Sequence, residues 1–165
     1  MSVRARAFAA GLSATLWAAP AFSAAEPSPA RYGMRAEEVF IPMRDGARLA
    51  ATLYRPEGAP PGERFPAVLE YLPYRKDDGT LPDDLAKYPY LVARGYVGVR
   101  ADIRGTGRSE GHPPDREYSD QEQQDGVEVI AWLARQPWCN GSVGMWGISW
   151  GASTPSRSRP AARRP

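Results

Sequence analysis

Gly147, Ser149 and Gly151 form a G-x-S-x-G directly after an apolar, strand-like run. A serine hydroxyl is a poor nucleophile until a base takes its proton. A strained strand-to-helix turn would lift Ser149 off the strand end, and the two glycines leave room for that tight approach. The backbone N–H of Trp150 is then aimed where an oxyanion would form. The chemistry suggested is acyl transfer through Ser149. An ordinary glycine-rich turn is the plain alternative; the preceding strand and the parallel-sheet pattern upstream favour the nucleophile.

Other chemistry is poorly supplied. His112 is the only histidine and Cys139 the only cysteine, too few for a typical zinc site. Cys139 lies between Trp138 and the turn Asn140-Gly141, which suits packing better than reactivity. Gly105-Thr106-Gly107 after a strand has the look of a dinucleotide loop, but the third glycine comes one residue late. Pro113-Pro114 also stands where a helix should start. A tight loop with Asp102 and Arg104 in structural ion pairs is the preferred reading. No metal and no cofactor are expected.

The elements that must position these residues can be read from pattern. Residues 37–42 and 48–55 are strand candidates joined by Arg44-Asp45-Gly46-Ala47, a strong hairpin signal. Residues 67–71 form a short apolar strand, and 73–84 a polar loop. A helix is expected over about 87–94, with Pro89 in its first turn and Gly95 as its stop. A strand follows over 96–102. Residues 119–136 are the clearest helix: Ser119 and Glu122 make a capping box, Val127, Ile130, Leu133 and Ala134 share a face, and Pro137 closes it. A last strand runs over 142–148 to Ser149. Strands alternating with helices imply an α/β fold, with about five strands in a mostly parallel sheet.

The 165 residues allow one domain with a sizeable core, and 17 prolines and 16 glycines point to many turns. Residues 1–24 look like a signal peptide: Arg4 and Arg6 precede an apolar stretch, and small residues at 23–25 offer cleavage points. That stretch is shorter than the roughly 20 residues a membrane span needs. A secreted or periplasmic location is expected, with no membrane association after cleavage. Residues 25–36 read as a flexible lead-in. The net charge of +2 is set by the ends; without the arginines of the leader and of residues 152–165, 15 basic residues face 19 acidic ones. No basic patch suggests nucleic acid.

Several motifs together carry a resemblance. They are Tyr71-Leu72-Pro73-Tyr74-Arg75-Lys76, Gly95-Tyr96, the run from Asp102 through Gly105-Thr106-Gly107 to Gly111, Asp125-Gly126, Trp132 through Pro137-Trp138, and Gly141 through Gly151. In this order and spacing, residues 37–151 resemble the Xaa-Pro dipeptidyl-peptidase/cocaine esterase group of α/β-hydrolases, which is peptidase family S15-like. The resemblance implies the N-terminal half of an α/β-hydrolase catalytic domain acting on small-molecule esters, amides or peptides. Related enzymes include α-amino acid ester hydrolases and acylases that act on β-lactam side chains. It also implies that the Tyr74 hydroxyl is one oxyanion donor and the Trp150 N–H the other, with Ser149 the nucleophile. On the residues alone, Tyr74 reads better as a loop aromatic packing on the sheet edge; it is the resemblance that favours the donor role.

In that fold the chain order is serine, acid, histidine, so His112, upstream of Ser149, is not taken as the base. Fourteen residues follow Gly151, rich in Ser, Pro, Arg and Ala. Residues 152–165 are expected to be a disordered, frameshifted tail: loss of one G from codons of a hydrolase-like continuation yields Ala152 to Ser158. Without an acid and a base the chain is expected to be inactive. The rival expectation is a non-catalytic remnant or interaction module using an exposed sheet edge.

Overall fold

The computed structural model describes residues 26–79, 81–147 and 149–150, those at 83 and 84 by backbone only. The signal peptide and the tail expected over 152–165 lie outside the described residues.

Five strands and two helices follow the chain order β1 (Gly33–Pro42), β2 (Arg48–Glu57), β3 (Phe65–Leu72), α1 (Leu81–Val92), β4 (Val97–Asp102), α2 (Asp120–Ala134), β5 (Cys139–Met145). The sheet order is β1-β2-β4-β3-β5. β1 pairs with β2, and β2 with β4, antiparallel; β4–β3 and β3–β5 are parallel. The sheet is therefore mixed rather than mostly parallel. Only strands joined through a helix run parallel, because a parallel crossover needs α1 or α2 to carry the chain back.

The Asp-Gly hairpin forms as expected. Gly46 has φ +91, and Met43 N–H donates to the Ala47 carbonyl at 2.8 Å. β1 begins at Gly33, paired with Glu57, so residues 33–36 belong to the sheet rather than to a lead-in. β5 begins at Cys139, earlier than expected. Asn140-Gly141 lies within it as an irregularity opposite Phe65–Ala67, with Gly141 at φ +93.

α1 departs most from expectation: it starts at Leu81 and keeps Pro89 inside. A proline there forfeits one intrahelical bond, and burial of Tyr88 and Val92 outweighs that loss. The Tyr88 ring stacks on Tyr54 at 4.4 Å, and its hydroxyl donates to Glu70 at 2.9 Å. A Cβ on Gly98 would lie 2.1 Å from the Tyr88 ring. Gly98 is therefore what lets α1 lie this close to β4. Gly98→Ala is expected to cost about 1–3 kcal/mol through overpacking, read as a lower urea midpoint at unchanged m-value.

α2 buries Glu122, Asp125, Gly126, Val129 and Leu133, a 3.6-residue stripe whose first turns are charged. Val127, expected on the inner face, is 39% exposed. The main core gathers Leu53, Leu69, Val99, Ile103, Val129 and Leu133 across the sheet and α2. Among the described residues no helix is long and apolar enough to cross a membrane, and no cluster of three His, Cys, Asp or Glu could hold a metal.

Candidate active site

β3 and β5 are parallel neighbours, so the loops that follow them leave the same end of the sheet. Tyr74 follows β3 by two residues and Ser149 follows β5 by four. The fold thus brings both segments to one rim, with Trp146 N–H still donating to the Leu69 carbonyl at 3.0 Å. Ser149 is exposed and has φ +56. A non-glycine residue in this left-handed region costs of order 1 kcal/mol or more and concentrates at functional sites. It is the geometry expected of a nucleophile turn.

Trp150 is anchored from the side. Its indole Nε1–H donates to Glu122 Oε1 at 2.8 Å, and its ring meets Tyr118 edge-on at 6.2 Å. The other oxygen of Glu122 accepts the Tyr118 N–H at 2.9 Å, while the Glu122 N–H donates to Ser119 Oγ at 3.2 Å. One carboxylate therefore closes the start of α2 and holds the residue after Ser149. The capping box was legible in the sequence; the bond to Trp150, between residues far apart in the chain, was not.

Burial raises the Glu122 carboxyl above the usual glutamate range, against the lowering pull of its bonds to Trp150, Tyr118 and Ser119. A raised acid holds its proton more tightly folded than unfolded. Its stabilising contribution is complete below the ordinary glutamate range and is lost as pH rises through the folded value. Glu122→Gln should remove that portion of the pH dependence, seen as a flatter urea-midpoint profile on the acid side.

The loop after β4 corrects one half of the ion-pair expectation. Arg104 does pair: Nε and Nη2 each donate to Asp125 at 2.7 Å, and Nη1 reaches Asp45 at 2.8 Å. The hydrogen bonds to Asp125 come first among the causes that raise its pKa. Asp102 makes no such pair with Arg104. Its carboxylate accepts the backbone N–H groups of Lys76 at 2.5 Å and Arg108 at 3.1 Å. Burial raises its pKa, and the two N–H bonds only partly offset this. Gly107, at φ +51, is needed because a Cβ would sit 2.1 Å from that carboxylate. The Gly105-Thr106-Gly107 run thus wraps a side chain of the protein itself rather than a phosphate.

Tyr74 is 41% exposed, free to face a ligand. His112 is exposed and lines an open cavity of ≈ 570 Å³ with Arg104, Arg116, Ser119 and Glu122, beside the start of α2. Cys139 is buried, and its sulfur accepts the Gly141 N–H at 3.4 Å, in keeping with packing.

A left-handed serine just past a parallel strand, with loops leaving the same rim, is the arrangement of an α/β-hydrolase sheet. The family described as X-Pro dipeptidyl-peptidase (S15 family) matches residues 45–160, and the chain belongs to it. A Mycobacterium tuberculosis (strain CDC 1551 / Oshkosh) protein with the provisional name serine esterase is 37% identical over 156 residues, 85% of this chain and 24% of its own length. Cocaine esterase of Rhodococcus sp. (strain MB1 Bresler) is 37% identical over 120 residues, 70% of this chain and 19% of that protein. The structure of a CocE/NonD family hydrolase from Staphylococcus aureus superposes with a TM-score of 0.62 at 30% identity, over 73% of this chain and 24% of that one. The chain thus spans about a quarter of the length of the first of these relatives.

Proposed function

We propose that this chain carries the nucleophile half of a serine hydrolase that cleaves acyl ester or amide bonds in small molecules or peptides. Ser149 attacks the carbonyl carbon, and the Trp150 N–H and Tyr74 hydroxyl receive the developing oxyanion. The observation that carries this reading is Ser149 itself, a left-handed, exposed serine in G-x-S-x-G at the end of β5. In this fold the acid and the base follow the serine in the chain, so His112, which precedes Ser149, is not read as the base. The apolar, acid-free leader supports export to a secreted or periplasmic location.

One observation favours a second reading, a non-catalytic module that pairs through its sheet edge. β5 is the last strand of the sheet among the described residues, and Asn140, Gly141, Ser142 and Gly144 are exposed. A strand before a nucleophile in a parallel sheet is ordinarily covered on both faces. A fluorophosphonate probe separates the readings. Modification mapped to Ser149 by mass spectrometry, and absent in Ser149→Ala, is expected for an assembled site. A folded, soluble chain in which Ser149 stays unmodified favours the module.

A further inference from the structure

Lys76 is a lysine with a side chain 0% exposed, which is rare unless the ammonium is fully partnered. Its Nζ donates to Glu38 at 2.7 Å, Thr52 Oγ1 at 3.0 Å and Asp77 at 2.7 Å. Glu38 and Thr52 are a cross-strand pair of β1 and β2, and the Thr52 hydroxyl donates to Glu38 at 2.5 Å. The backbone of the same residue is gripped at both ends. Its N–H goes to buried Asp102 at 2.5 Å, and its carbonyl accepts from Arg100 Nη1 at 2.5 Å. Arg100 and Asp102 both belong to β4. A loop residue is thus tied to three strands by four bonds, with a fifth to its neighbour Asp77.

The neighbour is strained. Arg75 has φ +65, and its guanidinium pairs with Asp78 at the surface. A left-handed arginine persists only where its surroundings over-determine it. The bonds on Lys76 supply that constraint, and the residue on the other side of the strained one is Tyr74. The turn lifts Tyr74 outward at the rim shared with Ser149 while Lys76 goes inward.

We propose that Lys76, held by Asp102 and Arg100, is the positioning residue that sets the Tyr74 hydroxyl for its oxyanion role. The inference rests on the reading of Tyr74 as a donor, and it assigns a task to a buried cation that the hydrolytic chemistry itself does not use. Lys76 touches no reacting atom; it acts through the backbone two residues away. An oxyanion donor gains its effect from being fixed before the charge develops, so loosening the anchor should act like removing the donor.

The test uses the full 165-residue chain with 3-fluorotyrosine placed at position 74. A single narrow ¹⁹F resonance away from the free amino acid is expected, moving towards it or broadening in Lys76→Met and in Asp102→Asn. Asp102→Asn keeps the shape but withdraws one of the two acceptor oxygens, and it decides the matter should Lys76→Met fail to fold. In the unsubstituted chain the Lys76 amide should exchange with deuterium far more slowly than that of Arg75. An unmoved ¹⁹F signal in a folded variant, or a Lys76 amide exchanging as fast as its neighbour, overturns the proposal. For function, Lys76→Met and Tyr74→Phe should each slow fluorophosphonate modification of Ser149 by about tenfold or more, with the double variant no slower than either. Slowing by Tyr74→Phe alone removes Lys76 and leaves the donor reading intact. If Tyr74→Phe has no effect, the donor reading falls, while the resonance and the exchange rate still decide whether Lys76 fixes the loop.

Discussion

Arg104→Met is expected to lower the stability of the folded chain by about 3–5 kcal/mol, the usual cost of leaving one member of a buried pair alone. Asp125 is 1% exposed on the inner face of α2. Two of its bonds come from Arg104 in a fork-to-fork arrangement, at 2.7 Å each, and the third from the Gln121 amide at 3.0 Å. Removing the guanidinium leaves a buried carboxylate with one neutral donor. The same guanidinium reaches Asp45 in the β1–β2 hairpin, so it ties α2 to the hairpin through the loop after β4. Urea unfolding followed by circular dichroism measures the loss. The double variant Arg104→Met/Asp125→Leu should recover much of it, because an apolar pair of similar volume owes no desolvation. A single-variant loss below about 1 kcal/mol, the ceiling for exposed pairs, would mean that solvent reaches this pair.

The second large effect concerns chemistry. At the position matching Tyr74 in a full-length relative, Tyr→Phe is expected to lower kcat about 100-fold, or about 3 kcal/mol of transition-state stabilisation, the typical loss for one oxyanion donor. KM for an ester substrate should change little, because the bond is made to the charge that develops after binding. Folding should be nearly untouched, since Tyr74 is 41% exposed. Unchanged turnover would remove this tyrosine from the site and leave the Trp150 N–H as the donor nearest Ser149.

Much of this arrangement could be read from local pattern. The Asp45-Gly46 hairpin, the Ser119–Glu122 cap and the Ser149 turn are each written in a few adjacent residues. Local backbone chemistry governs all three, and all three formed. The departures from local pattern share a physical origin. Local rules put Pro89 in the first turn of a helix, because proline disfavours helix interiors. Tertiary burial of Tyr88 and Val92 carries the helix through it. The same rules put Val127 inside, because apolar residues usually mark the inner face. The real inner stripe begins with Glu122 and Asp125, charged residues whose burial is possible only because Arg104, Trp150 and Tyr118 arrive from elsewhere. Asp102 reads from the sequence as a member of a structural ion pair and instead accepts two backbone N–H groups, in a loop that folds tightly over it at Gly107.

The sequence by itself determined the serine proposed as the nucleophile, the turn that presents it, the order of strands and helices, and the family likeness carried by its loops. All of these depend on residue type over short stretches. Only the tertiary structure decided that the sheet is mixed, that Glu122 holds Trp150, and that a lysine beside Tyr74 is sealed among three strands. Those outcomes depend on which distant groups meet out of water, where an unpaired charge is too costly to keep and a paired one holds its neighbours in place.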